Sequence, residues 1–222
     1  YYDFSGKRLY IDCDCDSILP FLVEVSVLKN VMSGSGLRNI TVRNIAFTHS
    51  NLASFGRGGA INLGGKNLTL ENLDVSYMDT VAVLVSGENV TVSNSRISQS
   101  GSVGISGKGT AFKITKNRVY RNNTRGFNKW WEAGGMKFIG GTGGVTDSEV
   151  SGNTALENFG DGIWFDTGNH RNVVRDNVAI ANRGFGIHYE ASYDSAIFSN
   201  FVLANQQRGI YVLEGSGNTI AH

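Results

Sequence analysis

Gly162-Ile163-Trp164-Phe165-Asp166 and Gly186-Ile187-His188-Tyr189-Glu190 are two copies of one short pattern, and they begin 24 residues apart. If each copy forms a β-strand, its side chains point alternately to two opposite faces. The second and fourth residues of each copy, which are apolar or aromatic, then face one way, and the third and fifth face the other. Strands stacked about 4.8 Å apart would place the carboxylates of Asp166 and Glu190 side by side on the outer face.

Two series of asparagines repeat with nearly the same spacing. The first series is Asn153, Asn177 and Asn200, and the second, five residues behind it, is Asn158, Asn182 and Asn205. A period in the low twenties, with short β-rich runs and no heptad pattern, predicts a solenoid. The leucine spacing of leucine-rich repeats is absent. We therefore predict an all-β fold, a right-handed parallel β-helix (pectate-lyase-like solenoid), in which the asparagines at one turn form ladders between coils.

The composition is typical of a single β-rich domain. The chain has 222 residues, of which 41% are hydrophobic, and its net charge is +1. This content is enough for one sizeable core, and the near-neutral charge offers no basic surface for nucleic acid. No apolar run approaches the roughly 20 residues that a membrane-spanning helix needs.

Two regions are expected along the chain. Residues 1–35 should form the first strands or a cap, and residues 36–222 should form the coils of the β-helix. A β-helix exposes unpaired strand edges at its ends, and such edges are normally covered. We therefore expect either that the chain is a piece of a longer protein or that a further domain or a second subunit covers the C-terminal coil.

Aligning the coils by the glycine that opens each strand predicts their register. The aligned glycines are Gly135, Gly162, Gly186 and Gly209. One outward row then contains Lys137, Trp164, His188 and Tyr211. The next outward row contains Asp166 and Glu190, flanked by an isoleucine and a leucine.

One coil carries an insertion on the same flank as the acidic pair. Four residues separate the second-series asparagine from the next glycine in three coils, but 13 separate them in the coil of Asn122, so nine residues are inserted. The insertion, roughly residues 124–133, contains Trp130, Trp131 and Glu132. Long loops on one flank of a solenoid usually build its binding face, so this loop should form part of the site.

The acidic pair suits glycoside hydrolysis. Retaining enzymes use two carboxyl groups about 5–5.5 Å apart, which is close to the ~4.8 Å between neighbouring strands. Asp166 and Glu190 are therefore the predicted catalytic residues. Aromatic side chains would stack on sugar rings, and polar ones would bind hydroxyl groups. The predicted substrate-binding residues are Trp164, His188, Lys137, Trp130, Trp131, Glu132 and Tyr211. This reading requires neither a metal ion nor another cofactor.

The segments Gly162–Asp166 and Ile187–Glu190 resemble the paired motifs of the β-helical retaining β-xylosidases. That resemblance implies that Asp166 is the nucleophile, that Glu190 is the acid/base, and that the substrate is a xyloside-like plant or microbial polysaccharide or oligosaccharide. The same region, with Glu132–Lys137 upstream, also resembles the bacterial secreted right-handed β-helix repeat proteins. That second resemblance implies a secreted, periplasmic or cell-surface location.

Two other functions remain open from the sequence. The first is a polysaccharide lyase or uronate epimerase, with Lys137, His188 or Arg183 as the base and with calcium held by Asp166 and Glu190. Loss of activity with a chelator would favour it. The second is a carbohydrate-binding or cell-surface β-helix without catalytic activity, in which neutralising Asp166 would change no measurable function.

Overall fold

The computed structural model describes residues 2–3, 5–9, 25–52, 58–140 and 144–221, and every element assigned in these ranges is a β-strand. Strands β1 (Tyr2–Asp3) and β2 (Arg8–Leu9) pair antiparallel. The other strands pair parallel with the equivalent strand of the next coil. They form three faces, A, B and C, around one core. The predicted parallel β-helix is therefore confirmed.

The early coils use long strands that follow face A and then face B. They are β3 (Met32–Arg43), β5 (Gly59–Glu71) and β7 (Val81–Ser93). Between the two faces these strands stack glycine on glycine, at Gly65 and Gly87, because a Cβ on Gly87 would lie 1.8 Å from the carbonyl oxygen of Gly65. Gly87 also has a φ of 120°, a backbone conformation that residues other than glycine rarely adopt.

The remaining strands are shorter and belong to one face each. Face A continues with β9 (Val103–Thr110), β12 (Gly134–Ile139), β16 (Asp161–Asp166), β19 (Ile187–Glu190) and β22 (Ile210–Leu213). Face B continues with β10 (Lys113–Thr115), β14 (Glu149–Ser151), β17 (Val173–Arg175), β20 (Ala196–Phe198) and β23 (Thr219–Ala221), and β13 (Val145–Thr146) pairs with the end of β9 at the corner. Face C consists of β4 (Ala46–Thr48), β6 (Asp74–Ser76), β8 (Arg96–Ser98), β11 (Arg118–Tyr120), β15 (Thr154–Leu156), β18 (Val178–Ile180) and β21 (Phe201–Leu203).

The core consists of rows in which like side chains stack from coil to coil. On face A, the rings of Phe138, Phe165 and Tyr189 follow one another with centroids 4.9 Å apart, and all three are fully buried. Aliphatic rows such as Val150 and Val174 on face B complete the interior. Burying each such side chain contributes about 1.5–3 kcal/mol, so the core stabilises every coil against its neighbours.

The predicted asparagine ladders are present at two turns. Asn158, which is fully buried, donates from Nδ2 to Oδ1 of Asn182 at 2.9 Å and to the carbonyl of Val119 at 3.0 Å. Its own Oδ1 accepts from the backbone and the side chain of Asn122. The other series, which includes Asn153 and its equivalents, repeats this arrangement. The ladders satisfy backbone groups that the turns would otherwise bury without partners.

The same ladder explains the glycine that opens each face A strand. A Cβ on Gly162 would lie 2.8 Å from Nδ2 of Asn182 and 2.6 Å from the carbonyl oxygen of Gly186, both in the next coil. Any side chain at this position would therefore displace the ladder. This contact is the physical reason for the repeated spacing between asparagine and glycine.

The expectations for the two ends stay predictions. Residues 10–24, which carry much of the predicted N-terminal region, lie outside the described ranges, and β3 of the first coil already begins at Met32. In the last coil Phe201 and Ile220 are more than half exposed. Nothing in the structure shows what covers them. Within the described ranges, no helix has the length and apolarity that crossing a membrane requires.

Candidate functional site

Face A carries the two outward rows in the register that the glycines predict. Lys137 pairs with Trp164, Trp164 with His188, and His188 with Tyr211. The next residues along the two strands, Phe165 and Tyr189, pair in the core. The residues after them, Asp166 and Glu190, pair on the outer side. The two predicted catalytic carboxylates therefore stand on adjacent parallel strands, each at the last residue of its strand.

A sharp change of backbone direction follows each acid. Thr167 and Ala191 come directly after Asp166 and Glu190, and they have φ angles of 55° and 40°. A positive φ is uncommon for a β-branched residue such as threonine, so Thr167 is held in a strained conformation by its surroundings. Thr167 also donates from Oγ1 to Oδ1 of Asp166 at 2.8 Å. This turn therefore positions the carboxylate as well as ending the strand.

Asp166 has a cationic partner. Nζ of Lys137 lies 3.0 Å from Oδ2 of Asp166, donates to the carbonyl of Trp131, and lies 3.3 Å from the ring centroid of Trp164. The side chains of Lys137 and Asp166 are 4% and 17% exposed. Burial lowers the pKa of Lys137, and the charges of Asp166, Glu132 and Glu190 oppose that effect. Glu132 therefore contributes to the site through its charge.

Glu190 has different neighbours. Nε1 of Trp164 donates to Oε2 of Glu190 at 3.2 Å, and Nε2 of His188 lies 3.6 Å from the same oxygen. The rings of Trp164 and His188 stack with centroids 4.9 Å apart and an interplanar angle of 12°. Asp166 therefore faces an ammonium group, whereas Glu190 faces an indole N–H and an imidazole nitrogen.

One residue of the site was not predicted from the sequence. Asp161 is 3% exposed; its Oδ2 lies 2.9 Å from Nδ1 of His188, and its Oδ1 accepts from the backbone N–H of Phe185 at 2.8 Å. Strand alternation would place Asp161 on the same side as Ile163, in the core. An acid at a core position of a repeat needs a buried partner, and this signal could have identified it.

A cavity of about 650 Å³ opens beside Glu190. Of the predicted site residues, those that line it are Trp130, Trp164, His188, Glu190 and Tyr211. The lining residues that the sequence reasoning missed are Phe185, Gln207, Arg208 and Leu213. Phe185 stacks on Tyr211 with centroids 4.6 Å apart, and the guanidinium of Arg208 lies 4.5 Å from the centroid of the same tyrosine ring. The cavity therefore has an aromatic wall that faces a carboxylate.

The inserted loop covers this wall, as expected. Nζ of Lys129 donates to the carbonyl of Arg183 at 3.1 Å, and the ring of Trp130 packs edge-on against Phe185. Trp131 contributes its carbonyl oxygen to Lys137, whereas its half-exposed indole is not part of the cavity wall. Trp164 and His188, on an outward row, are only 3% exposed, and Phe185 and Tyr211 pack against the ring of His188.

The residues near the acidic pair do not fit a calcium ion. Calcium takes six to eight oxygen ligands, but the groups in contact with Asp166 and Glu190 are the ammonium of Lys137, the hydroxyl of Thr167, the indole N–H of Trp164 and the imidazole of His188, of which only the hydroxyl could supply an oxygen ligand. In the described ranges, no three His, Cys, Asp or Glu side chains are grouped as metal ligands. Arg183, a candidate base of the lyase alternative, places its guanidinium 4.5 Å from the ring centroid of Phe159 and does not line the cavity.

Comparison with known proteins agrees with this architecture. The family model described as the right-handed beta helix region matches residues 9–142 and 61–222. A search of curated proteins gives no significant match. Among solved structures, the enzymatically active domain of tailspike protein 2 of bacteriophage CBA120 matches with a TM-score of 0.58 and 12% identity, over 84% of this chain and 33% of that one.

XylC, solved in complex with xylose, matches with a TM-score of 0.53 and 15% identity, over 85% of this chain and 38% of that one. The chain thus spans about a third of the length of each of these two structures. At such low identities the likeness shows the fold. Because the family model covers most of the residues, the chain belongs to the right-handed β-helix family.

Proposed function

We propose that this β-helix is a carbohydrate-active module that cleaves glycosidic bonds by the retaining mechanism of a glycoside hydrolase. The observation that carries the proposal is the pairing of Asp166 with Glu190 on adjacent strands, beside an aromatic cavity. Neighbouring strands lie about 4.8 Å apart, and retaining enzymes need carboxyl groups about 5–5.5 Å apart. The likeness to XylC, solved with xylose, supports a xyloside-like substrate.

The two acids have partners suited to different roles. Asp166 bonds to Lys137 and Thr167, which hold a carboxylate in place, so it is the proposed nucleophile. Glu190 lines the cavity and is the proposed acid/base. In the first step Asp166 attacks the anomeric carbon while Glu190 gives a proton to the departing oxygen. In the second step Glu190 takes a proton from a water molecule whose oxygen attacks the anomeric carbon, and the bond from that carbon to Asp166 breaks.

The cavity wall supplies the proposed substrate contacts. Trp130, which is 57% exposed, presents an aromatic face on which a sugar ring can stack, and Gln207 and Arg208 place polar groups beside it. Stacking on aromatic faces holds a sugar without fixing all its hydroxyl groups. Because Tyr211 and Arg208 of the following coil line the cavity, the bound sugar ring should lie on the C-terminal side of Glu190.

A panel of aryl xylosides, arabinosides, fucosides and galactosides tests the proposal with three variants. Asp166→Ala and Glu190→Ala should each lose most of the activity, the latter by about 10²–10⁴-fold with substrates whose leaving group needs protonation. Asp74→Ala, which removes an acid on face C, is the matched control and should behave as wild type.

Azide separates the two roles. With Asp166→Ala, azide should replace the missing nucleophile and give a glycosyl azide of inverted configuration. With Glu190→Ala, azide should attack the enzyme-bound sugar and give a product of retained configuration. If both variants cleave every substrate as fast as wild type does, the face A carboxylates are not catalytic and the proposal is wrong.

One observation favours a second candidate, a polysaccharide lyase or uronate epimerase. Burial lowers the pKa of Lys137, which a lysine acting as general base requires. Against it, Nζ of Lys137 is already bonded to the carboxylate of Asp166 and the carbonyl of Trp131. A lyase would give unsaturated products from an acidic polysaccharide, and a hydrolase would give saturated ones.

A further inference from the structure

His188 and Asp161 form a buried pair beside the proposed acid/base. His188 lies between aromatic rings, with Trp164 on one side and Phe185 and Tyr211 on the other. Its Nδ1 lies 2.9 Å from Oδ2 of Asp161, and both side chains are 4% exposed. Its Nε2 is buried and has no hydrogen-bonding partner among the described residues. A buried nitrogen without a partner needs an explanation, because burying it unpaired is unfavourable.

The contacts of Asp161 decide which nitrogen of His188 carries the proton. Oδ1 of Asp161 accepts from the backbone N–H of Phe185 at 2.8 Å, which fixes the orientation of the carboxylate. Oδ2 is then the oxygen that faces His188. A carboxylate only accepts hydrogen bonds, so Nδ1 must be the donor. In the neutral ring Nε2 is then left with a lone pair.

Glu190 is the carboxyl group within 4 Å of that nitrogen. Nε2 of His188 lies 3.6 Å from Oε2 of Glu190, which also accepts from the indole of Trp164. The other titratable group in contact with the imidazole is Tyr211, and Lys137 lies across the ring of Trp164. If Glu190 were ionised and His188 neutral, two acceptors would face each other. One proton between Nε2 and Oε2 removes that conflict.

We propose that Asp161 and His188 are positioning residues that keep one proton at the carboxyl group of Glu190, and so make it the proton donor of the pair. This inference rests on the proposed function. The proton goes from the Glu190 carboxyl to the oxygen of the departing group, and the indole N–H of Trp164 stabilises the carboxylate that remains. In the second step the same carboxylate recovers a proton from the attacking water, while His188 keeps the proton on Nδ1.

The Asp161→Asn variant reverses the tautomer and keeps the backbone contact. The N–H of Phe185 needs an acceptor, so Oδ1 of the new amide stays on that bond and its NH₂ group turns towards Nδ1 of His188. The NH₂ group donates, so Nδ1 must accept and the proton moves to Nε2. Nε2 then donates to Glu190 and holds it as a carboxylate, in the state that cannot give a proton.

The tautomer can be measured without any substrate. Long-range ¹H–¹⁵N correlation spectra of the ¹⁵N-labelled chain report which ring nitrogen is protonated, and His188→Gln identifies the signal among the four histidines. We expect a protonated Nδ1 in wild type and an unprotonated Nδ1 in Asp161→Asn. A wild-type His188 that carries a proton on Nε2, alone or together with the proton on Nδ1, would overturn the inference, even if no substrate is known.

Activity provides the second readout, with a 4-nitrophenyl and an alkyl glycoside of the same sugar. A nitrophenolate departs without a proton, whereas an alkoxide needs one. Asp161→Asn should lower kcat/KM by at least about 100-fold on the alkyl glycoside and by less than about tenfold on the nitrophenyl one. His188→Gln should show the same contrast, and the double variant should be no worse than either.

The matched control is Asp147→Asn, which changes an exposed acid bonded to Arg171 and should leave kcat/KM unchanged on both glycosides. Equal losses of Asp161→Asn on both substrates would indicate a merely structural role and overturn the inference. If wild type cleaves neither glycoside, the proposed function fails, and the tautomer measurement still decides between the two arrangements of His188.

Discussion

Replacing Lys137 by methionine should destabilise the protein by about 3–5 kcal/mol, because the change leaves the carboxylate of Asp166 without its cation. The atoms Nζ and Oδ2 lie 3.0 Å apart, and the two side chains are 4% and 17% exposed. At an effective dielectric constant of about 20, two unit charges at this distance attract by roughly 5–6 kcal/mol. Methionine fills nearly the volume of the lysine stem, so little of the loss should come from packing.

The reverse change should cost less. In Asp166→Asn the ammonium group loses its partner, but burial lowers the pKa of Lys137, so this side chain can release its proton when the carboxylate is gone. A double variant with both changes should then be more stable than the sum of the single losses by at least about 1–2 kcal/mol, because no buried charge is left unpaired.

Urea unfolding followed by tryptophan fluorescence and circular dichroism measures all three free energies, provided that the two signals coincide and the m-value is unchanged. Lys66→Met is the matched control, since Lys66 pairs with Glu88 at 2.8 Å while both side chains are about half exposed. It should cost less than about 1 kcal/mol. If Lys137→Met is as mild as Lys66→Met, or if the double variant is strictly additive, the buried pair does not stabilise the site as argued.

One further prediction concerns the asparagine ladders. Asn158→Ala should lower the free energy of unfolding by about 3–5 kcal/mol, because it leaves the N–H of Asn122 and the carbonyl of Val119 buried without partners. Asn205 lies on the same ladder but is only half-buried, so Asn205→Ala should cost less than half as much in the same urea experiment. Equal losses of unfolding free energy in the two variants would show that the contribution of a ladder asparagine does not depend on its burial.

The register of face A was predictable because it repeats. The glycine that opens each strand and the asparagine of the next coil are in direct contact, so their spacing records the length of a coil. Strand alternation then separates Phe165 in the core from Asp166 on the outer face. These features depend on local sequence, and the structure confirms them.

The parts that were missed depend on segments that do not repeat. The sequence places Trp164 and His188 on an outward row, but the structure buries both, with Phe185 packed against the ring of His188. Phe185 precedes its strand, so no alternation predicts its contact with Tyr211. Asp161 lies at the first residue of its strand, where the turn directs its carboxylate to the next coil instead of the core. A prediction from periodicity therefore finds the two acids and misses the residue that orients His188.

The contact between Gly162 and Asn182 also makes the coil the natural unit of change in this fold. Adding or deleting one full coil brings the next glycine against the next amide and keeps every ladder in step. A shift by a few residues within a strand would bring a side chain against an amide and break the ladder. Loops that leave and return at the same turn escape this restriction, as the segment between Asn122 and Gly135 shows, since Asn122 still bonds to Asn158. The number of coils that form a binding face, and the length of the loops that cover it, can therefore change independently of each other in such proteins.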